Sequence, residues 1–476
     1  KTEHSKVLQL LLTLQRNFIQ TKNPMRSARH FTILLVLFFL AAGALYAQST
    51  LLQSGPMLGY SEMREVLLWV QTKAPAKVQF KYWDKENPKQ VFETETVQTS
   101  KEKAFTASLI ADRVSPGKKY QYELYINGKK VERPYPLEFQ TQVLWKYRTD
   151  PPDFTIATGS CAYINEPEFD RPGKPYGQGY EIFKAIYEKR PDAMLWLGDN
   201  IYLREADWNS RTGIYQRYQH TRSLPELQPL LASVHHYAIW DDHDFGPNDC
   251  DGSFWNKEQA LEAFKCFWGN PSYGVGTLRG ICTQFSWGDA DFFLLDNRYY
   301  RTPQARKTGP RTILGKEQLE WLINALVASK ATFKVIAIGG QVLNPVAVYE
   351  TYANYAEERQ LLIDTITKEA ISGVIFLSGD RHFTELTMLP RKDSYPLYEL
   401  TCSPLTSGVF KGARDEANNL RVEGTLVEEQ NFALLKFSGK REERMLTISV
   451  YNKDGKELWS RSIKATDLQV PTQKVE

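Results

Sequence analysis

The sequence predicts an α/β protein with a small all-β domain on its N-terminal side. Three observations lead there. The chain has 476 residues, too many for one ordinary core. Residues 50–145 alternate apolar and polar side chains in short runs, without helix-length stretches. From Phe154 onward, short apolar runs alternate with amphipathic stretches of helical length, the pattern of buried strands joined by helices.

Taken in order, the first feature is an export signal. Met25 to His30 is a short basic segment, Phe31 to Leu40 is apolar apart from Thr32, and Ala42, Gly43, Ala44 and Ala47 offer small-residue cleavage positions. That three-part pattern assigns residues 25–47 to a secretory signal peptide. The apolar run is too short for a membrane span. No stable anchor is therefore expected after cleavage, and the mature protein is placed in the periplasm or outside the cell. Residues 1–24 read as a mis-called extension without a fold of its own.

Within 50–145, Glu65–Val70, Ala76–Tyr82 and Tyr120–Ile126 alternate in strand fashion, with turns at Pro116-Gly117 and Asn127-Gly128. Regularly spaced short strands over about a hundred residues suggest an immunoglobulin- or fibronectin-like sandwich. Arg148 to Asp153, with two prolines, is the expected linker to an α/β domain over 152–465. In that domain the apolar runs are Phe154–Ala157, Ala193–Leu197, Tyr237–Trp240, Phe292–Leu295, Val335–Ile338 and Val374–Leu377. Candidate helices are Tyr180–Lys189, Lys257–Trp268, Lys316–Ser329 and Glu357–Ala370. After Leu397 the chain returns to β structure, most clearly at Leu446–Tyr451.

The net charge of +3 is spread without a long basic run, so electrostatics do not imply nucleic acid. There is no Gly-x-Ser-x-Gly elbow and no His-Glu-x-x-His. Gly309 to Lys316 only superficially resembles a phosphate loop, because Glu317 stands where Ser or Thr must bind magnesium. The five cysteines are Cys161, Cys250, Cys266, Cys282 and Cys402. An odd number leaves at least one thiol unpaired, here Cys161, and sequence does not choose a pairing for the other four.

The residues just after each apolar run carry the chemistry. The strand ends deliver Gly159-Ser160-Cys161, then Gly198-Asp199-Asn200-Ile201-Tyr202, then Asp241-Asp242-His243-Asp244. They continue with Asp296-Asn297-Arg298, with Gly339-Gly340-Gln341, and with Gly379-Asp380-Arg381-His382. Open α/β sheets bind ligands at the carboxyl ends of their strands. A structural sheet has no need of so many polar ends, so a metal site is expected. After the signal, the histidines are His220, His235, His236, His243 and His382, of which only His243 and His382 sit at strand ends with acidic neighbours. A histidine-rich di-zinc site is hard to build from these. Carboxylates suit Ca(II), Mg(II) or Mn(II), and Tyr202 with Cys161 suits ferric iron.

In this order, Gly-Ser-Cys, Gly-Asp-x-x-Tyr, Asp-Asp-His-Asp, Asp-x-Arg-x-Tyr-Arg and Leu-Ser-Gly-Asp-x-His resemble the motifs of the PhoD-like alkaline phosphatases. The resemblance covers residues 55–460. It implies a metallophosphatase-type αββα sandwich, similar to purple acid phosphatases, behind the N-terminal β-sandwich. It further implies that Asp199 bridges two metals, that Tyr202, Cys161 and His382 bind Fe(III), and that Asp242 and Asp380 serve a second metal. That second metal can be Ca(II), with Mn(II), Mg(II) or Zn(II) as alternatives, and Asn248 is a further oxygen ligand. Arg298 is expected to hold a phosphate oxygen, and His243 to protonate the leaving oxygen or bind the phosphoryl group. Asn200 and Gln341 are candidate substrate contacts.

The function expected is an exported phosphomonoesterase that uses a two-metal activated hydroxide. The nearest rival is a phosphodiesterase built on the same core, including one acting on lipid or teichoic-acid-like diesters. Extra positive charge near Arg298 would favour monoesters. A rival of another class is an exported binding protein with a degenerate site.

Overall fold

The computed structural model describes residues 51–471. The expected signal at 25–47 and the leading 1–24 lie outside the described residues. Among the described residues no helix is long and apolar enough to cross a membrane.

The N-terminal part consists of β1 (Leu52–Ser61), β2 (Val66–Thr72), β3 (Lys77–Asp84), β4 (Phe92–Glu93), β5 (Val97–Gln98), β6 (Thr106–Ala111), β7 (Lys119–Ile126), β8 (Lys129–Val131) and β9 (Glu138–Gln140). Strands β4-β3-β7-β8 form one sheet, with β5 also pairing β3 and β9 pairing β7. Strands β1, β2 and β6 belong to a different, nine-stranded sheet. Here β1 lies parallel to a strand of the α/β part, β12 (His235–Ile239), with Leu58 opposite His235. Tyr122 Oη donates to Ala232 O at 2.7 Å, and Gln140 Nε2 to Asp192 Oδ1 at 2.7 Å. From Gln53 onward the described chain forms one compact unit, and the large sheet runs through the expected linker boundary without a break.

The same sheet contains β10 (Phe154–Gly159), β11 (Ala193–Leu197), β19 (Asn431–Ser438), β20 (Met445–Asn452) and β21 (Glu457–Lys464). Its order is β21-β20-β19-β10-β11-β12-β1-β2-β6, with β10, β11 and β12 mutually parallel. A second, six-stranded sheet has the order β13-β14-β15-β16-β18-β17. Its members are β13 (Thr283–Trp287), β14 (Ala290–Leu294), β15 (Phe333–Ala337), β16 (Val374–Ser378), β17 (Glu385–Leu389) and β18 (Leu397–Thr401). The unbroken apolar runs are the parallel strands: every residue of β11, β12, β15 and β16 is buried. On the edge strand β21 only Trp459 and Ile463 turn inward.

The two sheets face each other. Phe437 of β19 stacks on Phe154 at 4.6 Å and meets Phe292 and Phe333 of the second sheet at 6.2 and 5.1 Å. Tyr237 of β12 stacks on Phe285 at 3.6 Å. The main helices are α1 (Glu181–Glu188), α2 (Arg211–Arg222), α3 (Gln228–Ser233), α4 (Asp242–Phe245), α5 (Lys257–Phe267), α6 (Gly315–Ala328) and α7 (Ala356–Lys368). Helices α1, α6 and α7 are crossovers between parallel strands, as the periodicity predicts. Helix α2 escaped the sequence reading because its face is polar: Arg217 and Arg222 are buried on it, Arg217 against Glu166 and Asp207.

All five cysteines are free thiols. His235 and His236 are buried structural residues: Nδ1 of His235 lies 2.9 Å from Gly59 O, and Trp196 donates to His236 at 3.0 Å.

Candidate metal centre

The six apolar runs divide three and three between the facing sheets, and the site forms where the two sets of strand ends meet. From the large sheet come Cys161 after β10, Asp199 and Tyr202 after β11, and Asp242 and His243 after β12. From the six-stranded sheet come Asp380 and His382 after β16. Gly198 makes the close approach possible, because its φ is +93° and a Cβ there would lie 2.7 Å from Asp241 Cβ. A Cβ on Gly379 would lie 2.6 Å from Ser160 Oγ.

Cys161, Asp199, Asp380 and His382 all adopt left-handed backbone, with φ of 62°, 51°, 69° and 56°. Each such residue costs about 1–3 kcal/mol and persists only where its surroundings hold it there. Asp244 supplies part of that hold. Its buried carboxylate accepts from Asn200 N at 3.1 Å, Ile201 N at 3.3 Å and Asp241 N at 3.0 Å, tying the loops after β11 and β12 together.

Two sets of donor atoms share Asp199. On one side Oδ2 lies 3.5 Å from Cys161 Sγ and 3.2 Å from Tyr202 Oη, which in turn lies 3.1 Å from His382 Nε2. These separations match those of donors around one four-coordinate cation, roughly 3.3 Å for ligands held near 2.0–2.1 Å. On the other side, donor atoms of Asp199, Asp242 and His243 lie within 4.8 Å of one another, as do those of Asp241, Asp242 and Asp380. Burial, then repulsion from Asp242 and other acidic neighbours, holds Asp199 well above the usual carboxylate range. Burial and then Asp241 and Glu350 do the same to Asp380. Burial also lifts Asp241 to about 6. It pushes Asp242 the same way, but His243 and Arg298 outweigh it and hold that carboxyl low. Asp241 Oδ2 and Asp242 Oδ1 are buried without a hydrogen-bond partner.

Buried carboxylates so crowded, with two orphaned oxygens, call for positive charge between them. The residues present fit cations on both sides of Asp199. Burial raises the Cys161 thiol to about 12 and the Tyr202 phenol well above its ordinary value. Both ionise only beside a strongly Lewis-acidic ion.

Comparison with known proteins agrees with this arrangement. The model of the PhoD-like phosphatase family matches residues 156–448, which contain every donor named above. The chain belongs to the PhoD-like phosphatases. A second model, a domain of unknown function (DUF7800), matches residues 49–144. Alkaline phosphatase D of Bacillus subtilis (strain 168) is 25% identical over 335 residues, covering 59% of this chain and 53% of that protein. The chain thus spans about half the length of this curated relative. Among solved structures, one of PhoD superposes with a TM-score of 0.70 at 19% identity, covering 87% of this chain and 92% of that one. The purple acid phosphatase PPD1 of yellow lupin (Lupinus luteus) seeds gives a TM-score of 0.62 at 14% identity, covering 88% and 77%. These likenesses confirm the mixed α/β sandwich fold.

The centre of this PhoD-like chain opens into a cleft of about 420 Å³. Asp199, Asp242, His243, Asn248, Asp380 and His382 line it. Asn248 is exposed at its edge, and the His243 ring packs on Tyr202 at 4.2 Å between centroids. Three expected substrate contacts are not in the cleft, and their placement corrects the sequence reading. Arg298 is fully buried: Nε donates to Asp241 Oδ1 at 2.5 Å, and Nη1 donates to Glu350 Oε1 at 2.8 Å and to Cys250 O at 3.0 Å. Asn200 commits its amide N–H to Ile239 O at 2.8 Å. Gln341 is buried between Glu385 and Thr401, at 2.8 and 2.9 Å.

Conversely, the cleft contains Tyr176, Asp249, Tyr349, Glu350 and Phe410, which the sequence does not single out, and Arg381, which it places at a strand end without a role. Arg381 and Asp249 are sequence neighbours of residues that were singled out. Glu350 had no such signal, because it lies in the irregular chain between β15 and α7.

Proposed function

We propose that this chain is an exported phosphoric ester hydrolase that works with two cations and prefers diesters. What supports the two-cation reading is the carboxylate of Asp199, placed between a sulfur, phenol and imidazole set and a carboxylate set. On this reading Fe(III) belongs with Cys161, Tyr202 and His382. Ca(II) belongs with Asp242, Asp380 and Asn248, where Mn(II), Mg(II) or Zn(II) would also fit. Bound there, two cations supply Lewis acidity and charge neutralisation to an in-line displacement at phosphorus. A water oxygen adds to phosphorus and gives up one proton, one ester P–O bond breaks, and the departing oxygen takes up one proton.

His243 is the candidate donor of that proton or of a hydrogen bond to the phosphoryl group. Its Nε2 stands 3.9 Å from Asp242 Oδ2, beyond hydrogen-bonding range, so it is available to a ligand. His243→Ala is expected to keep its metals but to lose about 10²-fold or more of turnover on an alkyl ester. Full turnover on such a substrate removes His243 from the mechanism.

The preference for diesters rests on charge. A monoester dianion needs a further cation, and Arg298 is enclosed by Asp241, Asp242 and Glu350. Arg381 is the one Arg or Lys among the described cleft residues, and its guanidinium already pairs with Glu416. The test compares bis(p-nitrophenyl) phosphate with p-nitrophenyl phosphate under one set of conditions. A higher kcat/KM for the diester is expected, and a higher value for the monoester reverses the assignment. Hydrolysis of neither, with iron and calcium supplied, favours the binding-protein alternative.

The iron assignment also predicts colour. The purified protein should show a visible phenolate-to-iron absorption band that Tyr202→Phe abolishes. An iron-containing protein without that band contradicts the assignment.

A further inference from the structure

One wall of the cleft is aromatic. Tyr176, Tyr349 and Phe410 line it together with the acidic residues of the centre. Tyr176 and Tyr349 are 44% and 60% exposed, so burial does not explain the place of either ring. Tyr349 also has a left-handed backbone, with φ of 46°. Its carbonyl is held from two sides, accepting from Gln304 Nε2 at 3.1 Å and Asn354 Nδ2 at 2.9 Å. The Arg381 guanidinium lies 5.0 Å from the ring centroid, and Phe410 meets the ring edge-on at 5.6 Å. The ring is thus buttressed while most of its surface stays open. Phe410 is fixed in turn, its N–H donating to His382 O at 3.0 Å. Tyr176 hydrogen-bonds His382 Nδ1 at 3.1 Å and lies over Gly408, where a Cβ would come within 2.6 Å of the ring.

Single exposed aromatics are ordinary on a protein surface. Here three share one cleft with the donor cluster, and two are anchored to the backbone or side chain of His382. A phosphoryl group at the carboxylates therefore leaves its ester substituent alongside this wall. Pre-oriented open rings favour a flat partner over a flexible chain.

We infer that Tyr349 and Phe410 form a stacking subsite for a planar aromatic ring carried on an ester oxygen of the substrate. This rests on the phosphoric-ester reading of the centre and narrows its substrate class to ring-bearing esters. Tyr176 closes the same wall on the His382 side.

The test is calorimetric binding to the metal-loaded full chain. The probes are dimethylphosphinate, cyclohexyl(methyl)phosphinate and methyl(phenyl)phosphinate, monoanions like a diester that differ in one group. The phenyl probe is expected to bind about 10-fold more tightly than either of the others. Tyr349→Ala and Phe410→Ala should each bring the phenyl-to-methyl ratio close to one, with melting temperatures confirming the fold. Thymidine 5′-methylphosphonate, also a monoanion, assigns the ring: tighter binding than the phenyl probe points to a nucleobase, equal or weaker binding to a compact aryl group. Equal affinity for the phenyl and cyclohexyl probes overturns the stacking subsite, as does a phenyl preference that survives both variants. If no phosphinate binds at all, the anion site fails, and the subsite fails with it.

Discussion

Asp199→Asn is expected to lower kcat/KM on an aryl phosphodiester by about 10³-fold or more, because it removes the one carboxylate shared by both donor sets. The amide is nearly isosteric, and its oxygen can still accept the N–H of His243, which lies 3.3 Å from Oδ1. The fold should therefore survive. A second readout separates this role from a structural one. In metal-free protein, burial and the surrounding carboxylates raise the Asp199 pKa above its unfolded value. A raised value means stability that is fully present below the unfolded carboxylate value, near 3.9, and is lost as pH rises through the folded value. Chelator-treated Asp199→Asn should thus melt at a higher temperature than chelator-treated wild type at pH 8. The difference should vanish near pH 4. A variant that is less active and also less stable at pH 8 would mark Asp199 as a scaffold residue.

The second large effect belongs to Arg298. Arg298→Met leaves Asp241, Asp242 and Glu350 without the guanidinium that now lies among them. Removing one partner of a buried ion pair typically costs about 3–5 kcal/mol. Denaturant unfolding of the variant should show a loss of that size. Arg298→Lys should recover only part of it, because an ammonium cannot reproduce the separate Nε and Nη1 contacts to Asp241, Glu350 and Cys250 O. If Arg298→Met instead raises KM tenfold at unchanged stability, the guanidinium is a substrate contact after all.

This pair of residues shows what the sequence could and could not convey. Strands buried on both faces read as unbroken apolar runs, so Ala193–Leu197 was found to the residue. The polar residues just after such runs were exposed as candidates for the same reason. A strand end shows that a side chain is near the rim but not which way it points. Cys161, Asp199, Tyr202 and His382 converge on one point, whereas Asn200 and Gln341, from the same kind of position, turn into the scaffold. Arg298 follows the same kind of run, but its partner Glu350 comes from an irregular loop that carries no periodicity, so its enclosure leaves no signal in the sequence. Two facing sheets were implied by the family resemblance alone; which strand joins which sheet was out of reach, since local patterns carry no pairing information.

The central claim is that this chain binds two cations, one on each side of Asp199. Elemental analysis of wild-type protein purified without chelator, set beside Asp199→Asn, tests it most directly. The expected result is two metal ions per wild-type chain, one of them iron, with a clear loss from the variant. Less than one metal ion per chain in wild-type protein that still hydrolyses the diester would contradict it.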